Sequence, residues 1–199
     1  TDTPRHDLAR EPVPFEQEVD FILREAGNYL TRPPTLAAVR SMWAGLRPLV
    51  KPQDDDGENT KRISREHTVL TSKSGLVTVT GGKWTTYRAM AEDVLEACFE
   101  AGELPRKPGG VTVCLPLVGS PTSGRAQHSM HMGQGLHSYG SEADLVSSLP
   151  GADVWLVDGL SEAMVRFAVR YEYARCVEDV LARRSRLLFL NAALAAKLA

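Results

Sequence analysis

Residues 81–86 read Gly81-Gly82-Lys83-Trp84-Thr85-Thr86, directly after the β-branched run Leu76-Val77-Thr78-Val79-Thr80 and directly before a stretch of helical periodicity. A helix start concentrates unpaired N–H groups and partial positive charge. Two glycines there remove the Cβ atoms that would hold a ligand away from the backbone, and Lys83, Thr85 and Thr86 add side-chain donors. Such a unit suits an anion or a polarised carbonyl. A tight strand-to-helix turn with a solvated lysine accounts for the same residues, because the spacing is neither a Walker A loop nor a dinucleotide fingerprint.

Two further cations lie beside apolar segments: Arg47 before Pro48, and Arg65 between Ser64 and Glu66. Together with Lys83 they form a set that would converge on an anionic substrate, since a guanidinium fork matches two phosphate oxygens and an ammonium supplies a mobile point charge. Taken singly, each also reads as a surface cation. Other groupings carry less. Gly133-Gln134-Gly135-Leu136-His137-Ser138 lacks the third glycine of a dinucleotide loop and follows no strand. Asp54-Asp55-Asp56-Gly57 places Pro52 and Ile63 at positions where a calcium loop needs carboxylates. His128, His131 and His137 have no acidic or cysteine partner at metal spacing, so no metal site is expected. Arg183, Arg184 and Arg186 fit the C-terminal dipole of a helix better than nucleic acid.

The elements that must position these groups follow from periodicity. Val19, Ile22, Leu23, Ala26, Tyr29 and Leu30 predict a helix over 14–30, stopped by Pro33-Pro34. Residues 39–46 are expected to form a strand and 51–62 a polar loop. The runs 67–72 and 76–80 around Lys73-Ser74-Gly75 predict a β-hairpin, followed by a helix over 85–101 that Gly102 and Pro105 close. Residues 111–115 read as another strand and 119–138 as loop. Ser141 is expected to cap a helix over 142–149, and Ser161 a long helical segment reaching about residue 188.

With 199 residues, 43% hydrophobic and 24% charged, and a net charge of -2, the composition is that of an ordinary soluble chain and excludes collagenous, low-complexity and disordered classes. The charge balance argues against a polyanion binder. No apolar run reaches the roughly 18–20 residues of a membrane span, so any membrane association is expected to be peripheral or to come from sequence outside these residues. Cys98, Cys114 and Cys176 are odd in number and lack a Cys-x-x-Cys pair, which points to a reducing compartment. The start at Thr1-Asp2-Thr3-Pro4 suggests an excised piece of a longer chain.

Taken in order, Trp43-Ala44-Gly45-Leu46-Arg47-Pro48, Ile63-Ser64-Arg65-Glu66-His67, Ser74-Gly75-Leu76 and the run GGKWTTYRAMAEDV from Gly81 resemble the C-terminal half of the FAD-dependent, quinone-linked glycerol-3-phosphate dehydrogenases. Tyr173-Ala174, Asp179, Arg183-Arg184-Ser185-Arg186-Leu187 and Phe189-Leu190-Asn191 extend the resemblance and make it most similar to the mitochondrial branch; 119–160 matches weakly. The resemblance implies an α+β fold: the C-terminal part of a D-amino-acid-oxidase-like flavin and substrate domain over 1–108, then an all-helical domain over 109–199. It implies FAD as cofactor, with Gly81, Gly82, Lys83, Trp84 and Thr85 against the flavin pyrimidine carbonyl. Arg47, Arg65 and Lys83 would bind substrate, and Lys83 and Arg65 would serve catalysis. His67 stays open between a base and a structural strand histidine, and the base is left unassigned.

The implied reaction is oxidation of sn-glycerol 3-phosphate to dihydroxyacetone phosphate, by hydride transfer from C2 to flavin N5 with electrons passing to ubiquinone. The implied setting is peripheral on the mitochondrial inner membrane, or alternatively on a bacterial cytoplasmic membrane, with room for a homo-oligomer. The glycine-rich unit that grips the FAD diphosphate is not among these residues, so this polypeptide alone is expected neither to retain FAD nor to turn over. The alternative is a helical interaction module docking to a membrane surface or a protein partner, with the late arginines and the Asn191–Ala199 tail as its contact surface.

Overall fold

The computed structural model describes residues 1, 3–5, 7–46, 66–102, 104–121 and 132–199. Arg47, Arg65, the 51–62 stretch with its acidic run, His128 and His131 lie outside the described residues. In chain order the elements are α1 (Glu16–Gly27), β1 (His67–Thr71), β2 (Val77–Gly81), α2 (Tyr87–Glu100), α3 (Ala143–Ser147), β3 (Trp155–Val157), β4 (Leu160–Ser161), α4 (Glu162–Tyr171), α5 (Leu187–Leu190) and α6 (Ala192–Leu198). Short 3₁₀ turns at Leu36–Ala38, Trp84–Thr86, Val111–Val113 and Leu136–Glu142 and a π-helical turn at Asp179–Arg184 connect them. Helices combined with small antiparallel ladders match the α+β expectation in outline.

Two compact units result: Thr1–Val13 with Ala44–Leu115, and Pro14–Trp43 with Pro116–Ala199. In the first, β1 and β2 form the expected hairpin, with His67 opposite Gly81 and Val69 opposite Val79. Its turn is closed by the Gly75 N–H on the Ser72 carbonyl at 3.0 Å. Helix α2 packs on both strands. Arg88 pairs with Glu92 one turn on, and the Thr112 hydroxyl donates to the same carboxylate, fastening the 111–113 turn to α2. This corrects the strand expected at 111–115: Gly110 turns the chain at φ +84°, and the valines follow as 3₁₀ turn with no partner strand among the described residues.

The second unit holds the core. Every fully buried residue among those described belongs to it, led by Val146, Met164 and Phe167. Ser161 caps α4 as expected, its Oγ accepting from the Met164 N–H at 3.4 Å. The cap assigned to Ser141 is corrected, because its N–H goes to the Gly119 carbonyl at 3.1 Å and it lies inside the 136–142 turn; Glu142 precedes α3 instead. The strand expected at 39–46 is also absent. That segment has no ladder partner among the described residues; its Arg40 carbonyl accepts from the Ala192 N–H, Ser41 Oγ donates to the Leu188 carbonyl, and Trp43 packs edge-on against Phe189. Its apolar spacing therefore serves helix packing.

The single long helix expected from Ser161 to about 188 is broken into pieces. Tyr173 takes φ 60°, and the Ala174 N–H returns to the Ala168 carbonyl at 3.0 Å, ending α4 in a left-handed turn. Asp179 Oδ2 then accepts from the Arg175 and Cys176 N–H groups and opens the π-helical turn. The buried stripe survives the breaks in Ala168, Val180 and Leu181, while Val169, Tyr173 and Val177 face outward. The short β3–β4 ladder went unread in the sequence. Its strands of three and two residues are too short for an alternation to register.

The tail from Asn191 is engaged internally. Ala195 is buried and Leu198 packs against the core. Arg183 is held by Glu178 at 2.7 Å and Asp179 at 3.0 Å, and the backbone at Arg184 and Arg186 bonds Gln134. Arg183, Arg184 and Arg186 nonetheless stay exposed, and in the tail only Ala195 is fully buried.

Candidate active site

At the end of β2 the backbone enters two consecutive left-handed residues, Gly81 at φ +75° and Gly82 at φ +78°. No other residue type fits both. A Cβ on Gly81 would lie 2.9 Å from the Glu66 carbonyl, and one on Gly82 would lie 2.7 Å from the Met90 sulfur and 3.0 Å from the His67 Cβ. The glycine pair therefore brings the chain hard against β1 and α2 and releases it as Lys83.

Lys83 is extended, and its carbonyl accepts both the Thr86 N–H at 3.0 Å and the Thr86 hydroxyl at 2.9 Å. Those bonds wind the 84–86 turn that starts α2. Among the described residues no acceptor meets the amides of Gly82, Trp84 and Thr85, the last two being the first donors of the helical turn. Lys83 and Thr85 are exposed, and Trp84 is 87% exposed with its ring stacked on Tyr87 at 5.7 Å. Open amides, a cation and an aromatic face stand together on one short arc. That donor set suits an anion or a polarised carbonyl, with an aromatic face beside it for stacking.

Sequence reasoning singled out this arc, and the structure brings Gly81, Gly82, Lys83, Trp84 and Thr85 together there. Arg47 and Arg65 lie outside the described residues, so the convergence expected of the three cations remains a proposal. What the sequence did not reveal is the partner of His67. Its Nε2 lies 2.6 Å from Asp93 Oδ2. The two residues are 26 positions apart and on different elements, and only the hairpin fold makes them neighbours. Further along α2, Glu92 is held below the usual carboxylate range by the Thr112 hydroxyl and then by Arg88. His137 sits in the 136–142 turn, and among the described residues no cluster of three His, Cys, Asp or Glu could hold a metal ion. Nor is any described helix long and apolar enough to cross a membrane.

Comparison with known proteins gives the family. Over 94% of its length the chain is 37% identical to the glycerol-3-phosphate dehydrogenase SDP6, mitochondrial, of Arabidopsis thaliana. It is 38% identical over 96% of its length to the mitochondrial glycerol-3-phosphate dehydrogenase of Bos taurus, and 37% over 96% to that of Homo sapiens. The chain covers 34% of the plant protein and 29% of each mammalian one, so it spans about a third of the length of the curated relatives it matches. A family model described as the C-terminal domain of alpha-glycerophosphate oxidase matches residues 77–199, from β2 through the last helix. With well over half of its residues in that match, the chain belongs to the family of the alpha-glycerophosphate oxidase C-terminal domain.

Proposed function

We propose that this chain is part of a flavoprotein that oxidises sn-glycerol 3-phosphate to dihydroxyacetone phosphate and passes the electrons to a quinone. The observation that carries the reading is the arc at Gly82–Thr86, where unengaged helix-start amides and the Lys83 ammonium are offered side by side. The relatives compared above are all named glycerol-3-phosphate dehydrogenases, which supports the substrate. FAD, when bound, supplies the hydride acceptor.

On this reading Gly81, Gly82, Lys83, Trp84 and Thr85 hold the flavin edge, and Gly82 lets the backbone come close. Lys83 offers its charge to the substrate oxygen from which negative charge must be drawn off as the C2–H bond breaks. Arg47 and Arg65 grip the phosphate end, where a bidentate fork both binds and orients, and Arg65 shares the catalytic work with Lys83. Residues 1–108 belong to the flavin and substrate domain, and 109–199 to a helical C-terminal domain. The setting is a mitochondrial inner membrane, held peripherally, or the equivalent bacterial surface.

The 199 residues alone neither retain FAD nor turn over, because no dinucleotide fingerprint occurs in them. Glycerol-3-phosphate-dependent dye reduction by this polypeptide would contradict that statement. For the whole reading, flavin reduction by glycerol 3-phosphate in the natural gene product that carries this sequence is the test. Loss of that reduction on Lys83→Ala is the expected result.

A further inference from the structure

The Gly81-Gly82 turn poses a mechanical problem. Two successive glycines have the widest backbone freedom of any dipeptide, yet they set the direction in which α2 leaves the hairpin and hence where Lys83 points. Something outside the turn must fix that direction. His67 is the first residue of β1 and lies opposite Gly81 in the ladder, while Asp93 lies on α2 beyond the arc. Their bond at 2.6 Å joins β1 directly to α2 and closes a loop around the glycine turn. A carboxylate can only accept, so Nε2 carries the proton and is committed to Asp93. Met90, packed on Gly82 from the same helix, is the apolar fastener beside it.

We infer that His67 and Asp93 are positioning residues for the Gly82–Lys83 arc, holding α2 against β1 so that Lys83 and the helix-start amides meet the reacting groups at a fixed angle. The inference rests on the proposed dehydrogenase reading. Neither residue touches substrate or flavin in this role.

The test uses the natural gene product loaded with FAD, with kinetics expressed per bound flavin. Asp93 is more than half exposed, so Asp93→Ala removes the bond without opening a core. Asp93→Ala and His67→Ala are each expected to lower kcat/KM for glycerol 3-phosphate about tenfold, with the double variant no worse than the poorer single one. His67→Gln, which can still present an N–H toward Asp93, is expected to recover most of the loss. Unchanged kinetics per flavin, even with a lower melting temperature, would overturn the inference and leave the dehydrogenase reading standing. Additive losses in the double variant would overturn it equally. An unmodified protein whose flavin ignores glycerol 3-phosphate would overturn both.

Discussion

A Cβ built on Gly82 would sit 2.7 Å from the sulfur of Met90, eight residues later on the helix that the glycine launches. The turn and the helix are therefore one packed object. Moving either displaces Lys83.

Gly82→Ala is expected to destabilise the protein by about 1–3 kcal/mol, combining left-handed strain with displacement of the Met90 side chain. Differential scanning calorimetry reads the loss. Gly82→Ala combined with Met90→Ala should recover only the steric part, because φ +78° stays costly for any side chain.

In the second unit Phe167 is 1% exposed and lies between Tyr139, edge-on at 5.2 Å, and Tyr171 at 5.0 Å. Phe167→Ala is expected to cost about 3–5 kcal/mol, and Phe167→Leu less. Chemical denaturation with an unchanged m-value would show that the effect is on stability alone.

The carboxyl of Glu172 is pushed above its ordinary value by burial, with Arg184 opposing and Glu142 adding to the rise. A raised carboxyl favours the protonated folded state, so its stabilising contribution is present below the unfolded value of 4.5 and is lost as pH climbs through the folded one. Glu172→Gln should therefore raise the melting temperature at pH 7, and the gain should vanish below about pH 4.5. A melting difference that grows on acidification would contradict the assignment.

Tyr139 has its phenol pushed up to about 12, first by burial and then by Glu172. Folding is thus insensitive to this group below its unfolded value of 10 and loses support between pH 10 and about 12. Tyr139→Phe should flatten that alkaline decline. Thermal melts across this range give the comparison.

Much of the first unit was legible because its signals are local. The β-branched runs, the Ser74-Gly75 turn and the Gly81-Gly82 pair each act through backbone preference, and the hairpin and α2 followed from them within a residue or two. The second unit was harder, since its decisive features are bonds between distant residues. Ser141 has the chemistry of a cap, but the Gly119 carbonyl takes its N–H; the helical stripe running to Leu188 concealed a break made by Tyr173 and a capping Asp179. Trp43 has a strand-like neighbourhood and is claimed by Phe189 instead. Of the candidate site, the glycine and lysine arc was readable from residue types alone. The His67–Asp93 bond was not, because no spacing rule links a strand histidine to an aspartate on a later helix.

The dehydrogenase reading meets its most direct test in the flavin absorbance spectrum of the natural gene product, recorded before and after glycerol 3-phosphate is added without an electron acceptor. Bleaching of the oxidised band is predicted, slowed about 100-fold or more by Lys83→Ala and weakened in substrate affinity by Arg47→Ala. A colourless protein, or a flavin that the substrate leaves unchanged, would contradict it.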